Sequence, residues 1–263
     1  MDVFRLHRGT APLLVSMPHV GTHLPDDVAA RMTPVARTVP DTDWHLERLY
    51  DFLDTLGASV LVATHSRYVV DLNRPEDDAS LYPGQDTTGL IPVDTFAREP
   101  LYAGALPDGA ERAARVATYW RPYHRALQAE LAALRARHGV AVLWDAHSIK
   151  SEVPRFFDGR LTDLNLGTAD GASCDPRIER ALSDVAAQAS GYSHVLNGRF
   201  KGGYITRRYG DPRAGIHAIQ LELSEITYMD EAPPFGFRED LAAGVRPVLR
   251  RLVSAALETA RAF

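Results

Sequence analysis

The nine residues VAVLWDAHS, 140–148, decide the fold. Residues 140–144 (VAVLW) form an unbroken apolar run of strand length, which reads as a strand buried on both faces. The run leads directly into Asp145, Ala146, His147 and Ser148. An α/β sheet places its ligand site just beyond the carboxyl ends of such strands, so these four residues mark one edge of a candidate site.

Outward from this strand the same alternation repeats. Residues 12–17 (PLLVSM), 58–63 (ASVLVA), 68–72 (YVVDL) and 217–223 (HAIQLEL) read as further strands. Residues 42–56 carry Trp44, Leu46, Leu49, Phe52, Leu53 and Leu56 at helical spacing, with Asp41 or Asp43 as N-cap and Gly57 as the stop. Residues 111–138, 176–190 and 241–262 read as further helices. Residues 73–108 and 149–175 read as long polar loops, and 198–210 as a loop or hairpin. Strands alternating with helices predict a mostly parallel sheet covered on both faces. With no linker in its length, the chain is expected to be one domain spanning residues 1–263.

Composition narrows the function. The 263 residues are 45% hydrophobic and 24% charged, as in an ordinary globular chain. A net charge of −5 argues against a nucleic-acid partner, which needs a basic surface. No apolar run approaches the roughly 20 residues of a membrane span. The start has no leader pattern, so the expected compartment is the cytoplasm. A lone cysteine, Cys174, excludes both a disulfide framework and a cysteine metal cage. No phosphate-binding glycine loop and no serine-nucleophile elbow is present. Nothing in the sequence specifies an oligomeric state.

Chemistry concentrates at the strand ends. A histidine is more often packed or solvated than functional, and His7, His138 and His194 are read so. His19 and His147 differ, because each follows a buried strand beside small residues. Two histidines and a carboxylate, with a fourth position open, are a frequent catalytic zinc arrangement. Asp43 is assigned as the carboxylate, with Asp41 and His23 as alternatives, and zinc as the metal, with cobalt or another divalent ion as substitutes. Asp145 is placed to orient a histidine ligand from behind, with Ser148 beside it. Glu222, late in a buried strand, is costly to bury without a partner or a task. It is read as the general base, with a salt bridge to Arg74 or Arg207 as the competing explanation and Glu225 as the fallback base. Arg74, before a proline, suits a bidentate carboxylate clamp, and Arg67, Lys201, Arg207 and Arg208 add positive charge in loops of the same side. A small anionic substrate is the expected partner.

Six stretches in order, SMPHVGTHLP, DTDWHLERLYDF, SRYVVDLNRP, DAHS, GRFKGGYITRRYG and QLELSEITYMDE, resemble the N-formylglutamate amidohydrolases, deformylases of histidine breakdown, over about residues 5–260. The resemblance implies a three-layer α/β/α fold with a mostly parallel mixed sheet, like the zinc carboxypeptidases and aspartoacylases (the phosphorylase/hydrolase-like architecture). It implies hydrolysis of N-formyl-L-glutamate to L-glutamate and formate, the last step of a histidine degradation route. Deacylation of another N-acyl amino acid, or non-catalytic ligand binding, are the alternatives. His19 and His147 match the expected metal positions, Asp43 the acidic ligand and Glu222 the base. Asn73 and Arg74 look like the Asn-Arg pair that holds a substrate carboxylate, and Arg67, Lys201, Tyr204, Thr206 and Arg207 complete the implied substrate-binding set. The sequence departs from the carboxypeptidase pattern in lacking His-x-x-Glu.

Overall fold

In the computed structural model, residues 1–81 and 84–263 are described; Tyr82 and Pro83, inside the expected loop 73–108, lie outside the described residues. The strands are β1 (Phe4–His7), β2 (Leu13–Met17), β3 (Ser59–Ala63), β4 (Ala141–Ile149), β5 (Leu164–Gly167), β6 (His194–Leu196) and β7 (Ile216–Ser224). The helices are α1 (Asp26–Ala29), α2 (Leu46–Leu49), α3 (Gly109–Arg115), α4 (Arg121–His138), α5 (Pro176–Ala187), α6 (Tyr204–Tyr209) and α7 (Glu239–Arg261). A π-helical segment, Val116–Trp120, joins α3 to α4. It ends two residues before Pro122, which lacks the N–H an α-helical turn requires.

The seven strands form one mixed sheet in the order β1-β3-β2-β4-β7-β5-β6. The pairs β2–β3, β2–β4, β4–β7 and β5–β6 are parallel, while β1–β3 and β5–β7 are antiparallel. The two faces of the centre differ. Val142, Trp144, Ala146, Ile219, Leu221 and Leu223 pack with α5 and α7 into one apolar cluster. On the opposite face Leu14, Leu143 and Ala218 pack against Tyr123, Leu127, Leu131 and Leu134 of α4. Further along that second face the side chains become polar: Ser16, Asp145, His147, Gln220 and Glu222, all buried. The period-2 alternation of three central strands therefore covers the amino half with a helix and leaves the carboxyl half for chemistry.

Several expectations change. β4 does not end before the DAHS residues but runs through them to Ile149, because Asp145, His147 and Ser148 find partners inside the protein. The helix expected at 42–56 is broken into α2 and a short 3-10 turn, Leu53–Leu56. His45 sits before α2 at φ 61°, and neither Asp41 nor Asp43 caps it. Residues 68–72 are buried but join no strand; their apolar side chains pack under the helices rather than in the sheet. Residues 198–210 contain α6. β1, β5 and β6 are strands the sequence reading did not find, each only three or four residues long.

Candidate active site

Three parallel strands deliver the site. His19 follows β2 by two residues, His147 lies in β4 and Glu222 in β7. The register pairs Asp145 with Gln220 and His147 with Glu222, so the last two stand side by side on one face. Asp43 enters from the loop before α2, where its N–H donates to the His19 carbonyl at 3.1 Å. The four residues are nearly sealed from solvent, at 3% exposure for His19, 1% for Asp43, 2% for His147 and 8% for Glu222.

One nitrogen of each histidine is held from behind. His19 Nε2 lies 2.8 Å from Asp71 Oδ1 and His147 Nε2 lies 3.0 Å from Asp145 Oδ2. A carboxylate can only accept, so His19 Nε2 carries the proton and its Nδ1 keeps its lone pair, while His147 faces a carboxylate at each ring nitrogen. Both Nδ1 atoms face Asp43 Oδ2, at 3.8 Å from His19 and 3.2 Å from His147. The Ser148 N–H fixes that oxygen at 3.1 Å. Asp43 Oδ1 is buried and has no hydrogen-bond partner among the described residues.

These residues fit a divalent cation. Ligand atoms of His19, Asp43 and His147 all lie within 4.8 Å of one another. Around them Asp43, Asp71 and Asp145 are buried with one buried guanidinium, Arg67, in range: 2.7 Å from Asp71 and 3.8 Å from Asp43. Buried carboxylates in excess of cations are costly unless they coordinate metal. Carboxylates behind the distal nitrogens of both histidines are the usual orientation device for metal-binding imidazoles. The alternative ligands are used otherwise. Asp41 accepts from the Tyr68 hydroxyl at 2.6 Å and the Phe96 N–H at 2.8 Å, and His23 packs on His65.

Electrostatics sort the groups. Burial, with Arg67, pushes the His19 pKa below its ordinary value, which keeps the ring neutral as a ligand must be. Burial opposes charge on His147 too, but the Asp145 and Asp43 carboxylates beside it raise its pKa well above the ordinary value. Burial works against the Asp43 carboxylate, yet His147, His19 and Arg67 hold its pKa low. Glu222 is pushed up to about 8 by burial and by Asp43 and Asp145, with His147 and Arg67 opposing. A divalent cation nearby draws such a value down towards the neutral range suited to a general base.

The cleft above these groups offers about 70 Å³ of water-accessible space, room for a few waters or one small polar molecule. Its wall includes His19, Arg67, Asn73, Arg74, His147 and Ser148, together with Gln220 and Glu222. Of the expected substrate-binding set, Asn73, Arg74 and Arg67 line it. Lys201, Tyr204, Thr206 and Arg207 do not. Lys201 pairs with Asp170 at 3.0 Å, Arg207 Nε donates to the Gly202 carbonyl, and Tyr204 packs on Trp120. Thr206 is buried in α6. That segment contributes its backbone instead. Gly203 N–H donates to Gln220 at 2.7 Å, and a Cβ on Gly203 would come within 2.3 Å of the Asn73 side chain. The competing salt bridge from Glu222 to Arg74 or Arg207 is not formed; Gln220 Nε2 donates to Glu222 at 3.3 Å. Glu225, the fallback base, is buried but absent from the cleft wall.

Sequence reasoning missed Asp71, Arg199 and the aromatic wall of Phe96, Phe156 and Phe200. Asp71 had a usable signal, since a carboxylate inside the apolar run YVVDL requires a buried partner. Arg199 lies two residues before the lysine at which the cations of that loop were counted.

A mixed sheet that gathers a His–Asp–His group and a buried glutamate at its central strand ends is the layout of a hydrolytic α/β enzyme. The chain belongs to the N-formylglutamate amidohydrolase family, whose model matches residues 11–229. It is 56% identical over 256 residues to the N-formylglutamate deformylase of Pseudomonas putida, covering 97% of this chain and 96% of that one. It is also 56% identical over 261 residues to the N-formylglutamate deformylase of Pseudomonas aeruginosa, covering 99% and 98%. Among solved structures, an N-formylglutamate amidohydrolase from Ralstonia eutropha superposes with a TM-score of 0.82 at 26% identity, covering 99% of this chain and 97% of that one. A gene product of Agrobacterium tumefaciens superposes at 0.74 with 18% identity over 98% and 96% of the two chains, a likeness of fold alone.

Proposed function

We propose that this chain hydrolyses N-formyl-L-glutamate to L-glutamate and formate, acting as one catalytic domain with zinc, or another divalent ion, held by His19, Asp43 and His147. One relationship carries the reading: His147 and Glu222 are register partners on adjacent parallel strands, which sets a buried carboxylate beside the His–Asp–His group in a small cleft. The full-length likeness to two deformylases supports the substrate.

A bound divalent ion supplies Lewis acidity, polarising a carbonyl and acidifying water. Arg74 and Arg199 offer guanidinium groups to the two substrate carboxylates, and Arg67 adds positive charge where the carbonyl oxygen becomes anionic. Glu222 takes a proton from the attacking water as its oxygen bonds to the formyl carbon. The same carboxyl returns the proton to the amide nitrogen as the C–N bond breaks. Asn73, held through its side-chain oxygen by the Ile205 N–H at 2.9 Å, fixes the wall beside His147. Phe96 and Phe156, packed edge to face at 5.0 Å, narrow the cleft and limit its water.

The proposed setting is the final step of histidine breakdown, in the cytoplasm where that metabolite arises. No helix among the described residues is long and apolar enough to cross a membrane. The test compares turnover of N-formyl-, N-acetyl- and N-succinyl-L-glutamate. The formyl compound should be preferred by about a hundredfold, within the range that exclusion of one extra methyl group by a tight pocket provides. Preference for acetyl or succinyl would make the chain a different deacylase; no turnover of any would make it a binding protein.

A further inference from the structure

The stretch from Asp71 to Arg74 supplies several residues of the site, yet it is not part of the sheet. Asp71 orients His19, Asn73 reaches to 3.1 Å from His147 Nε2, and Arg74 lines the cleft. Two of its backbone carbonyls, which a sheet ladder would ordinarily satisfy, are met by side chains from outside the stretch. His124 Nε2 lies 2.9 Å from the Leu72 carbonyl and Trp120 Nε1 donates to the Arg74 carbonyl at 2.9 Å. The carbonyl between them, that of Asn73, accepts from Arg74 Nη1 at 3.1 Å, with the Tyr204 N–H at 3.4 Å.

Trp120 and His124 are four residues apart, so one turn of helix presents both donors to the same stretch. Their rings stack at 3.8 Å between centroids, which couples the two orientations. His124 is fixed further by Tyr209, whose hydroxyl lies 2.9 Å from Nδ1. Because the Leu72 carbonyl can only accept, Nε2 must carry the proton and Nδ1 must accept from Tyr209. Burial pushes the His124 pKa down to about 4, so the ring keeps that neutral, donating state at ordinary pH. Trp120 is the last residue of the π-helical segment, and the wider turn sets where both rings begin. Neither ring is part of the cleft wall.

We propose that Trp120 and His124 are positioning residues that set substrate affinity by clamping the backbone of residues 72–74, so that Arg74 stands in the cleft wall. The inference rests on the reading of Arg74 as a partner of a substrate carboxylate. Small displacements of such a group matter, since an ångström of misplacement can cost about a hundredfold in rate.

The test uses the metal-loaded, full-length protein and N-formyl-L-glutamate. Trp120→Phe and His124→Phe keep the aromatic packing and remove one donor each. Each should raise KM by about tenfold while kcat stays within about twofold and bound metal is unchanged, the pattern of lost binding. His124→Gln offers an amide N–H at similar reach and should restore most of the affinity. Trp120→Phe added to Arg74→Ala should raise KM no further, because the clamp acts through the side chain already removed. Multiplying effects in that double variant would overturn the proposal, as would wild-type KM in both phenylalanine variants while Arg74→Ala binds weakly. An unchanged KM in Arg74→Ala alone would overturn the substrate reading of Arg74 and the proposal with it. Should Trp120→Phe fail to fold, the His124→Phe and His124→Gln pair decides by loss and rescue.

Discussion

Asp71 holds His19 Nε2 at 2.8 Å with one carboxylate oxygen and Arg67 at 2.7 Å with the other. It is fully buried, and its pKa lies well below the ordinary carboxylate value because His19, Arg67 and Arg74 outweigh the burial that opposes its charge. The carboxylate therefore stays ionised and fixes His19 with Nδ1 turned to Asp43.

Asp71→Asn should consequently weaken metal binding by about 10–100-fold, the usual effect of removing a partner behind a metal-binding histidine. Competition against a chelating dye reads this directly, with circular dichroism to confirm the fold. Unchanged affinity would remove Asp71 from the role.

Glu222→Gln keeps the shape of the side chain and removes its basicity. Metal stoichiometry should stay at the wild-type level while kcat falls by about a hundredfold or more, within the range general-base catalysis contributes. Single-turnover assays on metal-loaded protein check it; a kcat near wild type would mean that another group takes the proton.

The cleft wall separates two sets of cations. Arg74→Ala and Arg199→Ala should each raise KM by about tenfold or more, since a hydrogen bond to a charged group contributes about 1.5–3 kcal/mol. Lys201→Ala and Arg207→Ala should leave KM near wild type, because neither side chain lines the cleft. The reverse ranking would restore the assignment read from sequence.

His124 links acid sensitivity to the clamp. Its pKa falls from 6.5 in the unfolded chain to about 4 when buried, so stability present above pH 6.5 is lost as pH drops from 6.5 to about 4. The contribution is on the order of 3 kcal/mol at most. Urea midpoints across that range should fall less steeply for His124→Gln than for wild type, and parallel profiles would contradict the assignment.

The central strands were legible because their chemistry is redundant: VAVLW and HAIQLEL are apolar on the face toward α5 and α7, and both end in residues that need partners. His19, His147 and Glu222 were legible for the same reason, as polar groups in or just after buried runs, and Asp43 as a carboxylate at an expected helix start. The run YVVDL misled because burial under helices and burial in a sheet leave the same apolar signature. Residues 42–56 misled because helical spacing says nothing of the positive φ at His45, which frees Asp43 to face the histidines rather than cap a helix. β5 and β6 are too short to show a period, although β5 carries Asn165, whose side chain donates to the Glu222 carbonyl at 3.0 Å. The cations of residues 199–207 could not be sorted without knowing that Lys201 pairs with Asp170 and α6 carries Arg207 out of the wall while Arg199 stays in it.

Formate release from N-formyl-L-glutamate, measured before chelation, after it, and after stoichiometric zinc or cobalt is returned, bears most directly on the account. Activity should vanish with the metal and return with it in wild type, and His147→Ala should neither retain stoichiometric metal nor recover. Full formate release from metal-free protein would contradict a metal-dependent reaction at His19, Asp43 and His147.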